Sequence, residues 1–258
     1  MHMRHGLTQA DYLQQINTIQ TRCDPPPEAP QWFEDAQTSA SFPNISFMSL
    51  FRLCDEAARI CSSVRALVEE ASLKDMFFGA TFIAESINDL DKRMQDHFGA
   101  SVAPPLINST AESALMNDYI TIQDLRIRNY IDACFLRLHY SVLELLFHAA
   151  RFPGHSGNQL KAIAELRDLN IQLSQARADR ILSTLHTFLQ DASREISFSN
   201  WADSLRLLWQ VRLIASSPVL LERQKRVAKS ALSTMGHEVG LMQAMGSYLL
   251  TLTEYAAL

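Results

Sequence analysis

The stretch from Ile122 to Phe152 constrains the fold more than any other part of the chain. It contains neither Gly nor Pro, and its apolar residues recur at steps of three and four positions. This spacing predicts one helix of roughly 30 residues, about 45 Å long at 1.5 Å per residue. The apolar stripe is wider than the contact line of a single neighbouring helix, so we expect several helices to surround this one. Its members include Ile127, Ile131, Phe135, Leu138, Val142, Leu145 and Ala149.

The distribution of Gly and Pro indicates an all-α fold. The 258 residues include only 8 Gly and 9 Pro, and four of the prolines lie between Pro25 and Pro30. The apolar fraction of 47% is ample for a large core. We therefore predict an N-terminal helix and a Pro-rich crossover in residues 1–44. Residues 45–258 are predicted to form a single domain of about eight to ten helices around the central helix 122–152.

Local patterns predict the other helices. The second and third helices are expected to end near Glu70 and Phe98, and Phe77, Phe78 and Phe82 are placed inward. The stretch after Gly157 is divided near Ser174, with one continuous helix as the alternative. Asn200 is predicted to cap the next helix. The last two helices of the chain are predicted at residues 218–235 and 237–258.

The net charge of −5 argues against direct binding of nucleic acid by this chain, because that binding relies on clustered Lys and Arg. The basic run at residues 223–226 is interpreted as a solvated helix face, with a nuclear-import signal as the alternative. The chain shows no apolar signal sequence and no membrane-spanning stretch. We expect a soluble, intracellular protein with no membrane partner.

The four cysteines, Cys23, Cys54, Cys61 and Cys134, lack the spacing of a zinc site. Buried, reduced thiols are expected instead. Residues 88–91 read Asn-Asp-Leu-Asp, which is neither of the aspartate motifs of terpene cyclases. Residues 237 and 238 begin like HExxH, but position 241 is Leu, so the second His is missing. No metal and no cofactor are predicted.

Three polar residues of the long helix are candidate catalytic groups. His139, Glu144 and His148 lie in the most apolar helix of the chain, where an imidazole or a carboxylate could act as acid or base. Core or surface pairing is the favoured interpretation. Arg126, Arg128, Arg137 and Asp132 of the same helix are interpreted as solvated or salt-bridged.

Trp209 and Arg212 are candidate ligand-binding residues, together with Tyr140. An aromatic wall beside one charged group is a common combination in small-molecule pockets. The alternative is a core Trp with an Arg whose stem covers apolar surface.

Four segments resemble the C-terminal regulatory helical domain of fungal zinc-cluster transcription factors. WADSLRLLWQVRLIASSP and RQKRVAKSALSTMGHEVGLMQAM are similar to the closing helices of that family. INDLDKRMQDHFGASVAPPL resembles its helix and Pro-containing loop, and RNYIDACFLRLHYSVLELL resembles its central helix. The resemblance covers residues 47–250 and lacks the six-cysteine DNA-binding knot of the family.

The resemblance implies transcriptional control by a domain that senses a small-molecule effector or docks a protein partner, without its own DNA reader. The alternative is a stand-alone enzyme of small-molecule, secondary-metabolite biosynthesis, such as a cofactor-free cyclase or isomerase. A structural homodimer is a third alternative. The location would be nuclear for a regulator and cytoplasmic for an enzyme.

Overall fold

The computed structural model describes residues 45–70, 72–98, 122–192 and 198–237, together with the single positions Ile19, Pro25, Pro27 and Gln31. Six helices account for most of these ranges, and no strand occurs among the described residues. The all-α prediction is confirmed for this part of the chain. The helices predicted in residues 8–22 and 237–258, the crossover in residues 24–44 and the boundary at residue 44 lie outside it, so the total of eight to ten helices stays a prediction.

The first two described helices pack against each other. Helix α1 covers Ile45–Glu70 and α2 covers Leu73–Phe98. Ser72 precedes α2, and its Oγ accepts a hydrogen bond from the backbone N of Asp75 at 3.3 Å, as an N-cap does. The buried residues of α2 keep helical spacing, because only one face of the helix enters the core. They are Met76, Ala80, Ile83, Ala84, Ile87, Leu90 and Met94.

Helices α3, Ile122–Ala149, and α4, Gly157–Ala192, form an αα-hairpin. The chain turns between them, where Pro153 and Gly154 cannot continue the first helix. Phe135, Leu138, Val142 and Leu145 are fully buried, as the apolar stripe predicts. The helix ends at Ala149, three residues earlier than expected.

The last two described helices, α5 at Phe198–Ala215 and α6 at Glu222–His237, also pack against each other. Gln224 holds the start of α6. Its Oε1 accepts from the backbone N of Leu221 at 3.0 Å, and its Nε2 donates to the backbone O of Gln175 in α4 at 2.8 Å. The side chain therefore caps one helix and ties it to another.

The chain divides into two compact units. Unit 1 comprises residues 1–119 and 137–170, and unit 2 comprises residues 120–136 and 171–258. Both α3 and α4 are divided between the units. Unit 2 contains α3 up to residue 136 and α4 from residue 171, and unit 1 contains the remainder of both helices. Whether α3 is the centre of a single domain stays a prediction.

Three predictions about individual residues were wrong. Phe78 and Phe82 are 57% and 69% exposed instead of inward. They lie about 180° and 140° around α2 from the buried Ile87, at 100° per residue. Helix α4 is continuous through Ser174, because nothing between Asn158 and Ala192 breaks it. Asn200 lies inside α5, which begins two residues earlier.

Cys54, Cys61 and Cys134 are buried thiols that form no disulfide among the described residues, as predicted. Cys23 lies outside the described residues. None of the helices in the described ranges is both long and apolar enough to span a bilayer.

Candidate functional site

A buried carboxylate in unit 2 joins α3 to α4. Asp132 accepts from Arg177 Nη1 at 2.7 Å and from Arg180 Nη2 and Nε at 2.6 and 3.0 Å. The guanidinium of Arg177 also lies 4.6 Å from the centroid of the Phe135 ring. The side chains of Asp132 and Arg177 are 1% and 6% exposed, so this ion pair is shielded from water. Charge-assisted bonds of this kind fix the register of the two helices.

One turn away, Asn129 makes a second polar link between the same helices. Its Nδ2 donates to Thr184 Oγ1 at 2.6 Å, and that hydroxyl donates to the backbone O of Ile181 at 2.8 Å. The Oδ1 atom of Asn129 is buried and has no hydrogen-bond partner among the described residues. Such an atom loses its hydration without replacement, which costs about 1–3 kcal/mol.

Trp209 of α5 contacts α3 at Tyr130, the residue after Asn129. Its ring packs edge-on against Tyr130, with the centroids 5.6 Å apart and the planes at 66°. The indole Nε1 is buried, and no atom accepts its hydrogen in the part of the chain that the structure describes. A buried indole N–H usually finds a partner, so this donor is unsatisfied among the described residues.

Arg212 lies three residues after Trp209, and side chains at this spacing are neighbours on a helix. It is half-buried, and loss of hydration on burial lowers the pKa of its guanidinium below the ordinary value. Within the described ranges its guanidinium forms no ion pair and no side-chain hydrogen bond. Its situation differs from that of Arg177 and Arg180, whose charges face Asp132.

Trp209 and Arg212 therefore present two donors on neighbouring positions of α5, one neutral and one charged, beside an aromatic surface. Arg guanidinium is suited to carboxylate and phosphate oxygens because of its planar, forked donors. Tyr140, the third predicted ligand residue, is half-buried and belongs to unit 1.

The predicted catalytic residues lie on α3 in unit 1. His139 is buried, and its Nδ1 lies 2.9 Å from Asn170 Oδ1, while Asn170 Nδ2 donates to the backbone O of Leu166 at 2.8 Å. These contacts satisfy a core histidine. Glu144 is half-buried.

Helix geometry separates these three residues. At 100° per residue, His139 lies about 140° around α3 from Glu144 and about 180° from His148. His148, in the last turn, is half-buried and meets the Phe147 ring edge-on with the centroids 5.7 Å apart. The helix thus brings Glu144 and His148 to one face and His139 to another.

No group of three His, Cys, Asp or Glu side chains in the described ranges is placed to hold a metal ion.

The sequence interpretation missed the partners of Asp132. It placed this residue among solvated or salt-bridged charges, and the structure shows a buried ion pair. The signal for the partners was present in residues 177–180, where two arginines three positions apart lie on one face of a helix. Nothing in the sequence indicated that this face would meet Asp132, 45 positions earlier.

Comparison of the chain with protein-family models, with curated proteins and with solved structures gave no match.

Proposed function

We propose that this chain is a helical regulatory module that binds a small-molecule effector through Trp209 and Arg212. The resemblance to fungal transcription-factor regulatory domains supplies the regulatory role, and docking of a protein partner belongs to the same proposal. The single observation that supports the effector site is the half-buried Arg212 guanidinium with no carboxylate partner among the described residues. A charge in that position is stabilised by any anion that reaches it.

The effector class follows from the neighbours of that charge. The buried indole N–H of Trp209 would donate to an acceptor on an effector that displaces the side chains covering it, and the half-buried Trp209 ring, which packs on Tyr130, offers an apolar edge. A small aromatic carboxylate matches both features, because one oxygen can bind the guanidinium while the ring packs against the aromatic pair.

The test is a thermal-shift and calorimetric screen of aromatic carboxylates, each paired with its neutral primary amide. We expect at least one carboxylate to bind, and its amide to bind at least about tenfold more weakly, since a hydrogen bond to a charged group contributes about 1.5–3 kcal/mol. Arg212→Met should reduce carboxylate binding by a similar factor. Trp209→Phe keeps an aromatic ring but removes the donor, so a smaller loss is expected.

Arg226→Met is the matched control, because this residue is an exposed arginine of unit 2. It should leave binding unchanged within about twofold. The proposal fails if no carboxylate binds, if acid and amide bind equally, or if the Arg226 and Arg212 variants behave alike.

The enzyme alternative has less support. An acid and a base that serve one reaction must reach one substrate, and His139 faces away from Glu144 and His148 on α3. Glu144 and His148 share one face, so Glu144→Gln and His148→Gln test the alternative directly, since either should abolish turnover that depends on this pair.

The finer architecture is part of the proposal. We propose that the chain forms one domain of eight to ten helices around α3. We propose a nuclear location if the protein regulates transcription and a cytoplasmic location if it is an enzyme. A fluorescent fusion would test the location.

A further inference from the structure

Two phenylalanines project from α2 into solvent. Phe78 and Phe82 are 57% and 69% exposed, and they lie one turn apart on the same face. Scattered exposed apolar residues are ordinary on protein surfaces, but an adjacent pair of exposed aromatic rings forms a compact apolar patch. Together they expose on the order of 250 Å² of surface, given about 200 Å² for a phenylalanine.

Carboxylates flank this pair along the helix. Asp75 lies one turn before Phe78, and Glu85 and Asp89 lie one and two turns after Phe82. All five side chains fall within an arc of about 80° on α2, and all are exposed. We call these five residues the acidic aromatic stripe.

Most of the negative charge of the stripe remains uncompensated within the described residues. Glu85 has no ion pair there. Asp89 is bound by Arg93 Nε at 3.0 Å, and Arg93 is also bound by Glu56 Oε2 at 2.6 Å, so this cation is shared between two carboxylates. A partner that covers the stripe must therefore bring positive charge.

The size of the patch argues against a second copy of this chain as the occupant. A stable interface buries about 1,200–2,000 Å² in total around an apolar centre, whereas this patch offers two side chains. The chain also carries a net charge of −5, so two copies repel each other. A short helical segment with two apolar side chains one turn apart matches the spacing of the two rings.

We propose that the acidic aromatic stripe docks a basic amphipathic helix of a protein partner. Two apolar side chains of that helix cover Phe78 and Phe82, and Lys or Arg residues beyond them face Asp75, Glu85 and Asp89. This interaction surface lies in unit 1 and does not depend on the effector site in unit 2.

The experiment uses the full chain and a synthetic 18-residue helical peptide, with leucines at i and i+4 and lysines one turn before and one and two turns after them. Fluorescence anisotropy of the labelled peptide should show saturable binding that weakens as salt is added. Two control peptides have the same composition in scrambled order, or glutamate in place of lysine, and neither should bind.

Three variants locate the binding site. Phe78→Ser/Phe82→Ser should weaken binding at least about tenfold, as loss of a central aromatic anchor does. Glu85→Lys should weaken it about two- to fivefold and reduce its salt dependence. The matched control Leu160→Ser/Leu169→Ser removes two other exposed apolar side chains of unit 1 and should change binding less than twofold.

Circular dichroism separates loss of fold from loss of binding, and Phe82→Ala replaces the double variant if that variant does not fold. The proposal is overturned if the phenylalanine variants bind the peptide as the wild type does, or if the scrambled or acidic peptide binds equally well. It is also overturned if the protein alone self-associates and Phe82→Ala abolishes that association, because a second copy would then occupy the stripe.

Discussion

Removal of the Asp132 carboxylate should destabilise unit 2 far more than removal of any exposed charge. Asp132→Asn keeps the shape of the side chain but deletes the negative charge that the buried Arg177 guanidinium faces. The two side chains are 1% and 6% exposed, so water cannot replace the lost partner. Breaking a buried pair in this way costs about 3–5 kcal/mol, a large part of the 5–15 kcal/mol that stabilises a typical domain.

The three hydrogen bonds that Asp132 accepts from Arg177 and Arg180 allow a series of variants with graded losses of stability. Arg180 is 21% exposed and makes two of them, so Arg180→Met should cost only about 1–2 kcal/mol because the Arg177 pair survives. The triple variant Asp132→Leu/Arg177→Met/Arg180→Met should recover most of the loss, since replacing a whole buried ion group by apolar side chains is often neutral.

Urea unfolding followed by circular dichroism at 222 nm measures the series, with tryptophan fluorescence as a second probe of the same transition. Asp89→Asn is the control, because it breaks an exposed pair on α2 and should cost less than about 0.5 kcal/mol. A loss below about 1 kcal/mol for Asp132→Asn, or a loss equal to that of the control, would refute the reasoning.

Three further predictions concern other contacts. His155 Nε2 donates to the backbone O of Ala149 at 2.9 Å at the end of α3, so His155→Ala should cost about 1–2 kcal/mol and speed amide exchange in that last turn. The hydrogen bond with Lys225 lowers the pKa of Glu222. The stability that this bond contributes is therefore present above the unfolded-state pKa of Glu222 and is lost as the pH falls through its folded-state pKa. The free energies of unfolding of wild type and Glu222→Gln, measured in urea, should therefore converge in acid. Gly79→Ala should stabilise α2 by up to about 1 kcal/mol, because alanine favours a helix more than glycine does. The added Cβ would meet the movable end of the Leu67 side chain at 2.7 Å, which can shift. A loss of stability above about 1 kcal/mol would contradict this.

The spacing of apolar residues was sufficient to predict those helices whose buried faces are regular. The spacing of Phe135, Leu138 and Leu145 predicted α3 and its buried face, because burial along one helix depends on local geometry. It failed at Phe78 and Phe82, where hydrophobicity alone suggested the core. Their angular positions on α2, opposite Ile87, place them in solvent.

The polar contacts of unit 2 could not be predicted, because they join residues far apart in the chain. Asp132 meets Arg177 and Arg180 only after α3 and α4 have paired. Trp209 and Arg212 could be named as candidates from their types and spacing. Only the surrounding side chains show that the described residues give the Trp209 indole no acceptor and the Arg212 guanidinium no carboxylate.

Because α3 and α4 each pass from one unit to the other, neither unit can be produced by truncation at a linker. A boundary at residue 136 or at residue 170 cuts through a helix and exposes its apolar face, and a boundary in the turn at residues 150–156 divides both units. Fragments designed on the usual rule of cutting at loops would aggregate, and dissection of this protein should rely on substitutions in the intact chain.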